Sequence, residues 1–306
     1  MGLREVMEAF DILDRPDASG ADVAAYWREC GVGGAEATPA DGTDFVRAVI
    51  PGDRGRLAGG AAPTLGVIGQ LGGIGARPDQ IGFVSDGDGA LAAVAVAATL
   101  GRMRRRGDTL PGDVIVTTHI CPDAPVRPHD PVPFMSSPVG TDVANAHQVD
   151  EAMDAVLSVD TTKGNRVCNH HGFAISPTAC QGWLLRVSDD LLDVAAQVTG
   201  RAPAVLPVTM QDITPYGNAV YHLNSIMQPA TATAAPVVGV AITTETAVPG
   251  SATGATDLHV VESAARFCVE VAKGFGRGKV CFHDAGELGR LVERYGPMTR
   301  LQTLGA

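Results

Sequence analysis

A chain of 306 residues that is 45% hydrophobic and 19% charged can build a large core, which excludes a disordered polypeptide. Its net charge of −11 excludes a nucleic-acid binder, because phosphates must be met by a basic stripe. No apolar run nears the ~18 residues of a membrane span, and the opening MGLREVMEAFDIL lacks a secretory signal pattern. The six cysteines show no CxxC spacing and read as reduced thiols, so a soluble, cytoplasmic protein is expected.

Residues 1–60 read as a mainly helical segment: REVMEAFDIL, then SGADVAAYWREC with Ser19 or Asp22 as cap, then DGTDFVRAV. The glycine-rich PGDRGRLAGGAAP (51–63) reads as an exposed connection. From there strands and helices alternate. TLGVIG (64–69) and QIGFVS (80–85) are predicted strands. DGALAAVAVAATLGRMRRRG (88–107) is a predicted helix with Asp88 at or near its N-cap and Gly107 closing it. The arginines at 102 and 104–106 fall where this helix ends and complement its dipole.

DVIVTTHI (113–120) is an apolar, β-branched run of the kind found in a central parallel strand. DAVLSVD (154–160), WLLRV (183–187), AVLPVTM (204–210) and PVVGVAI (236–242) are further predicted strands, with a capped helix over 188–200. TDLHVVESAARFCVEVAKGFG (256–276) is a long amphipathic helix. The chain as a whole is expected to form one α/β domain: a three-layer α/β/α sandwich with a mostly parallel central sheet and the 1–60 segment packed on it.

In such folds sites form where the strands end. The polar residues just past each strand are Gln70, then Asp86 and Asp88, then His119, Cys121 and Asp123, then Asp160, and finally Glu245. Carboxylates and imidazoles gathered at one edge suit a divalent metal. Asp88 can equally cap its helix, Asp86 can be a turn aspartate, and Cys121 can be an inert core thiol. Asn169, His170 and His171 sit in the loop TTKGNRVCNHHG, where a ligand, a general base or a solvated pair are alternatives.

The order of GVIGQLGGIG, SDGDGALAAVAVAATL, GDVIVTTHICPD, AVLSVD and VVGVAITTETAVPGSATGATDLHVVESAA resembles the co-catalytic zinc exopeptidase superfamily of aminopeptidases and deacylases, over roughly residues 64–274. The signature VSDGDGA with TTHICPDAP is also similar to an uncharacterised bacterial family. The resemblance implies a zinc-exopeptidase-like fold, Asp86 or Asp88 as a bridging aspartate, Asp160 as a terminal ligand, and a homo-oligomer. Three stations of that pattern differ here: Gln70 stands at the first histidine, Thr118 and His119 at the Glu-Glu pair, and Thr244 or Glu245 at the last histidine.

The leading functional expectation is a metal-dependent hydrolase of an amide or related C–N bond in a small molecule or short peptide. Asp86, Asp88, His119, Cys121 and Asp160 are its candidate ligands for Zn or Mn. Asp123, Glu245 or His171 is the candidate base, and Gln70, Asn169 and His170 are candidate substrate contacts. Two alternatives stand beside it. One is a metal-free enzyme with Cys121 or Cys168 as nucleophile; the other is a non-catalytic binding protein on a decayed hydrolase scaffold.

Overall fold

The computed structural model describes residues 2–70, 72–128, 132–165, 167–208 and 224–302. In chain order they form α1 (Leu3–Leu13), α2 (Gly20–Cys30), β1 (Gly34–Ala40), β2 (Thr43–Ile50), β3 (Leu65–Gly69), α3 (Asp88–Arg105), β4 (Val114–Ile120), β5 (Val126–Arg127), β6 (Phe134–Met135) and α4 (Thr141–Gln148). There follow β7 (Ala155–Thr162), β8 (Gly172–Ile175), β9 (Ala179–Cys180), β10 (Trp183–Leu184), α5 (Asp189–Thr199), β11 (Ala204–Val205), β12 (Val237–Thr243), α6 (Leu258–Phe275) and α7 (Ala285–Tyr295).

The β-branched runs build the centre of a large sheet ordered β1-β2-β4-β3-β7-β12-β8-β11. β4, β3, β7 and β12 run parallel, while β2 pairs with β4, and β8 with β12, in the antiparallel sense. Every residue of β3, β4 and β12 is buried, which is why these strands read as continuous apolar runs. The four parallel strands end at Ile120, Gly69, Thr162 and Thr243, all at one edge of the sheet.

Helices cover both faces. α1, α2, α3, α5 and α6 pack on the face that carries Leu65, Val67, Val114, Val116, Leu157 and Val240. α4 and the 3-10 turn 225–231 lie on the other face, against Ile68, Val156 and Ala241. α3 is buried on every side from Asp88 to Gly101, so its Ala-rich sequence needs no polar stripe. Arg102, near its end, binds α1 through Glu5 (2.6 Å) and Glu8 (2.5 Å). Ser19 and Asp22 both act at the start of α2, forming a reciprocal capping box.

Three predicted elements turn out differently. Residues 41–49 are not helical: 34–50 fold as the β1–β2 hairpin, so the N-terminal segment is two helices followed by two strands. Asp41 and Gly42 both take positive φ (46° and 86°), as a two-residue hairpin turn requires, and pairing with β4 overrides any helical preference. Residues 80–85 form no strand. Val84 makes only an isolated bridge to Thr253, and the segment is anchored by the Phe83 N–H donating to Asp14 (2.6 Å) and by the Phe83 ring against Phe10. The predicted strands at 183–187 and 204–210 shrink to β10 and β11, with residues 209 and 210 outside the described set.

No helix among the described residues is long and apolar enough to cross a membrane.

Candidate functional site at the strand ends

Three candidate residues share one face of the sheet at this edge. Ile68 lies opposite both Thr117 and Ser158, and the side-chain period of a strand is two. His119 and Asp160 therefore face the same side as Ile68, and the Gln70 N–H continues the ladder by donating to the Val159 carbonyl (2.8 Å). β3, which Gln70 directly follows, separates β4 from β7, which puts the backbones of His119 and Asp160 two strand spacings apart, about 10 Å.

Asp88 does not cap α3. It is the first residue of the helix, Gly87 is the N-cap, and the Asp88 carboxylate points into a buried ion pair. Lys163 Nζ donates to its Oδ2 at 2.7 Å and the Thr256 hydroxyl donates to its Oδ1 at 2.7 Å. The Asp88 side chain is fully buried and that of Lys163 is 5% exposed. Burial pushes the Asp88 carboxyl above its ordinary range, against the pull of the ammonium and the hydroxyl. The positive end of the α3 dipole also favours a carboxylate at this position.

The local chain explains why these groups meet. Lys163 is the first residue past β7, and Thr161 on that strand donates to the Ser85 carbonyl (3.0 Å), tying β7 to the turn that starts α3. Gly89 lets the helix start close to the sheet. A Cβ there would meet the carbonyl oxygens of Val159 (2.6 Å) and Gln70 (2.9 Å). Gly89→Ala is therefore expected to cost about 1–3 kcal/mol, measured as a fall in the denaturant midpoint.

Asp86 lies in the same turn, 5% exposed, with the 249–252 loop over it: its N–H donates to the Gly250 carbonyl (3.1 Å), and a Cβ on Gly250 would meet its carboxylate. Asp160 is buried and accepts from the Thr161 N–H at 2.7 Å.

His119 is fully enclosed, its ring 5.3 Å from that of Phe45, and neither ring nitrogen has a partner among the described residues. Burial holds it at about 4, well below an ordinary histidine, so at neutral pH it is uncharged. Gln70 Nε2, Gln148 Oε1 and Ser158 Oγ are likewise buried and unpartnered among the described residues.

Cys121 is buried, its thiol pushed up to about 11 by burial and donating to Asp123 at 3.4 Å; the Asp123 carboxylate itself is exposed. Glu245 stands exposed on the bend after β12. Asn169 is exposed. The His170 ring is held at the sheet edge, with Nε2 3.2 Å from the Thr243 hydroxyl and 3.3 Å from the Phe173 carbonyl oxygen, and Nδ1 3.7 Å from the Cys168 sulfur. Burial raises the Cys168 thiol too.

His171 is open to solvent, and its Nε2 lies 3.4 Å from Asp257 Oδ2. Asp257 also caps α6, accepting from the His259 N–H at 2.9 Å, and directly follows Thr256, the partner of Asp88. The His171–Asp257 and Lys163–Asp88 pairs are thus neighbours through two consecutive residues. Lys163, Thr256 and Asp257 were not among the candidates read from the sequence. The signals were a lysine at the tip of a buried strand and a Thr-Asp at a helix start. His129 lies outside the described residues.

A zinc or manganese ion needs several His, Cys or carboxylate ligands around one point. Among the described residues no three such side chains stand close enough to hold an ion. Both oxygens of Asp88 are engaged, by an ammonium and a hydroxyl, and the Cys121 proton is retained. Among the described residues, the side chains as arranged do not fit the expected Zn or Mn.

The family described as "Protein of unknown function (DUF1177)" matches residues 35–305. The chain belongs to this family. No curated protein matches this chain. Among solved structures it is similar to a tomato leucine aminopeptidase variant, with a TM-score of 0.51 at 12% identity, covering 87% of this chain. The chain spans 61% of that enzyme's length. The Legionella pneumophila LapA aminopeptidase is a further neighbour, with a TM-score of 0.49 at 12% identity over 90% of this chain and 69% of that one. This DUF1177 member thus has the mixed α/β fold of an aminopeptidase domain, with a large central sheet and helices on both sides.

Proposed function

We propose that the protein hydrolyses an amide or related C–N bond in a small molecule or short peptide, at the edge where β4, β3, β7 and β12 end. The observation that carries this reading is the exposed His171–Asp257 pair beside the buried Lys163–Asp88 pair at that edge. It supplies a solvent-exposed imidazole 3.4 Å from a carboxylate, linked through Asp257 and Thr256 to a buried ammonium pair, and the fold shared with an aminopeptidase agrees with it.

In this scheme Asp257 orients the His171 ring through Nε2, and Nδ1 takes the proton of a water molecule. The water oxygen bonds to the carbonyl carbon while the π pair moves onto the carbonyl oxygen. The C–N bond then breaks as that pair returns, and the imidazolium hands its proton to the departing nitrogen. A carboxylic acid and an amine result. This scheme uses neither Asp123 nor Glu245, since neither belongs to the linked pairs. A cysteine nucleophile is disfavoured because burial keeps Cys121 and Cys168 protonated.

The test is turnover of a panel of dipeptides, N-acyl amino acids and primary amides by the wild-type chain and by His171→Ala. At least one class should be cleaved, and His171→Ala should lower kcat by about 10²–10⁴ with little change in melting temperature, because the side chain is exposed. Panel members that stabilise the protein without being cleaved would favour the non-catalytic binding reading instead.

A further inference from the structure

We propose that Lys163 supplies, as a permanent part of the chain, the positive charge that the resemblance assigns to a metal ion, so that this edge polarises its substrate with an ammonium. The inference rests on the hydrolytic reading above and names the group that meets the carbonyl oxygen.

The geometry makes the case. Asp88, at the start of the central helix, is one of the two aspartates matching the bridging ligand of the resembled family. Its Oδ2 accepts from Lys163 Nζ at 2.7 Å, in a pair with 0% and 5% of the side chains exposed. The other oxygen is closed off by Thr256 at 2.7 Å. An ion seated on Asp88 would have to displace the ammonium and a hydroxyl hydrogen bond, and among the described residues no trio of ligands waits to receive it. The lysine is held in place from three directions: by β7, which ends one residue earlier, by the Asp88 carboxylate, and by Gly164, whose N–H donates to the Thr244 hydroxyl at 2.9 Å.

The chemistry fits as well. An ammonium has three N–H donors, and among the described residues Asp88 is the acceptor that Lys163 uses. The remaining donors can hold a carbonyl oxygen as it gains negative charge, and the Lys163 side chain that carries them is itself 5% exposed. Unlike a metal, an ammonium cannot bind water and acidify it, so a side chain must take the proton. That requirement is met by His171, whose Nε2 stands 3.4 Å from Asp257 within the same linked group.

The experiment uses the 306-residue chain with Zn²⁺, Mn²⁺ and propylammonium as separate probes. Extensively chelated wild-type protein should neither retain nor rebind a stoichiometric ion by elemental analysis, and its melting temperature and turnover should be indifferent to Zn²⁺, Mn²⁺ or chelator. Lys163→Ala should lose turnover about a hundredfold or more. It should also melt lower, and propylammonium, which replaces the deleted atoms, should restore both relative to sodium at equal ionic strength. Should Lys163→Ala not fold, Asp88→Asn with Lys163→Met removes both charges together and should fold without turning over.

One equivalent of Zn²⁺ or Mn²⁺ bound by wild type, with stability or turnover dependent on it, would overturn the proposal, as would undiminished turnover in either variant. If wild type cleaves nothing, the hydrolytic reading falls by itself. Metal retention and propylammonium stabilisation still judge the cation independently.

Discussion

Lys163→Met is expected to destabilise the protein by about 3–5 kcal/mol at neutral pH, because it leaves the Asp88 carboxylate buried without its counter-charge. Asp88→Asn should cost a similar amount for the converse reason, although the amide oxygen can still accept from Thr256. The double variant should be much less destabilised than the sum of the two, since a buried ion pair exchanged for neutral groups of like shape is often close to neutral in stability. Urea midpoints of the four proteins supply the coupling energy. The Lys163→Met deficit should shrink as the pH falls, because burial already raises Asp88 and protonation then relieves the unpaired charge. Simple additivity of the two single variants would show that the pair does not act as a unit.

The second large effect belongs to His119. An ordinary histidine titrates near 6.5, whereas burial lowers this one to about 4 in the folded protein. A depressed folded value means that the neutral ring's contribution is present above about pH 6.5 and is lost progressively as the pH drops from there toward 4. Fully developed, the loss is on the order of 3 kcal/mol. His119→Leu removes the titration, so the difference in unfolding free energy between wild type and variant should tilt across this window and level off on either side. A constant difference from pH 7 to pH 4 would mean that the ring is hydrated or paired in solution.

The fold was readable where periodicity and burial agreed. The runs GVI, VIVTTHI, AVLSVD and VVGVAI are apolar on both faces and became the parallel centre, and the two 18-residue helices α3 and α6 fall within one or two residues of their expected bounds. The misread pieces were those whose state depends on a distant partner. DFVRAVI becomes a strand because β1 and β4 pair with it on either side, and GFVS forms none because its backbone is taken by Asp14 and the 249–253 loop. An Asp-Gly at 41–42 was the local clue to the hairpin.

At the site, strand-end logic placed His119, Gln70 and Asp160 at one edge, because a parallel strand's tip is legible from its apolar run; Asp86 and Asp88 lie at the start of α3 and not past a strand over residues 80–85. It did not reveal which charge neutralises Asp88. Lys163 lies 75 positions away, and the packing of the start of α3 against β7 brings the two together. The Thr256–Asp257 step was hidden for the same reason. A helix cap is a local feature in sequence, and the approach of Asp257 to His171 is set by the tertiary fold.

Diffraction at the zinc absorption edge, from crystals grown in excess Zn²⁺, tests the role of Lys163 most directly. The ammonium should remain on Asp88 Oδ2 with no anomalous peak between β3 and β7. A zinc peak ligated by Asp88, with Lys163 turned away, would contradict the account.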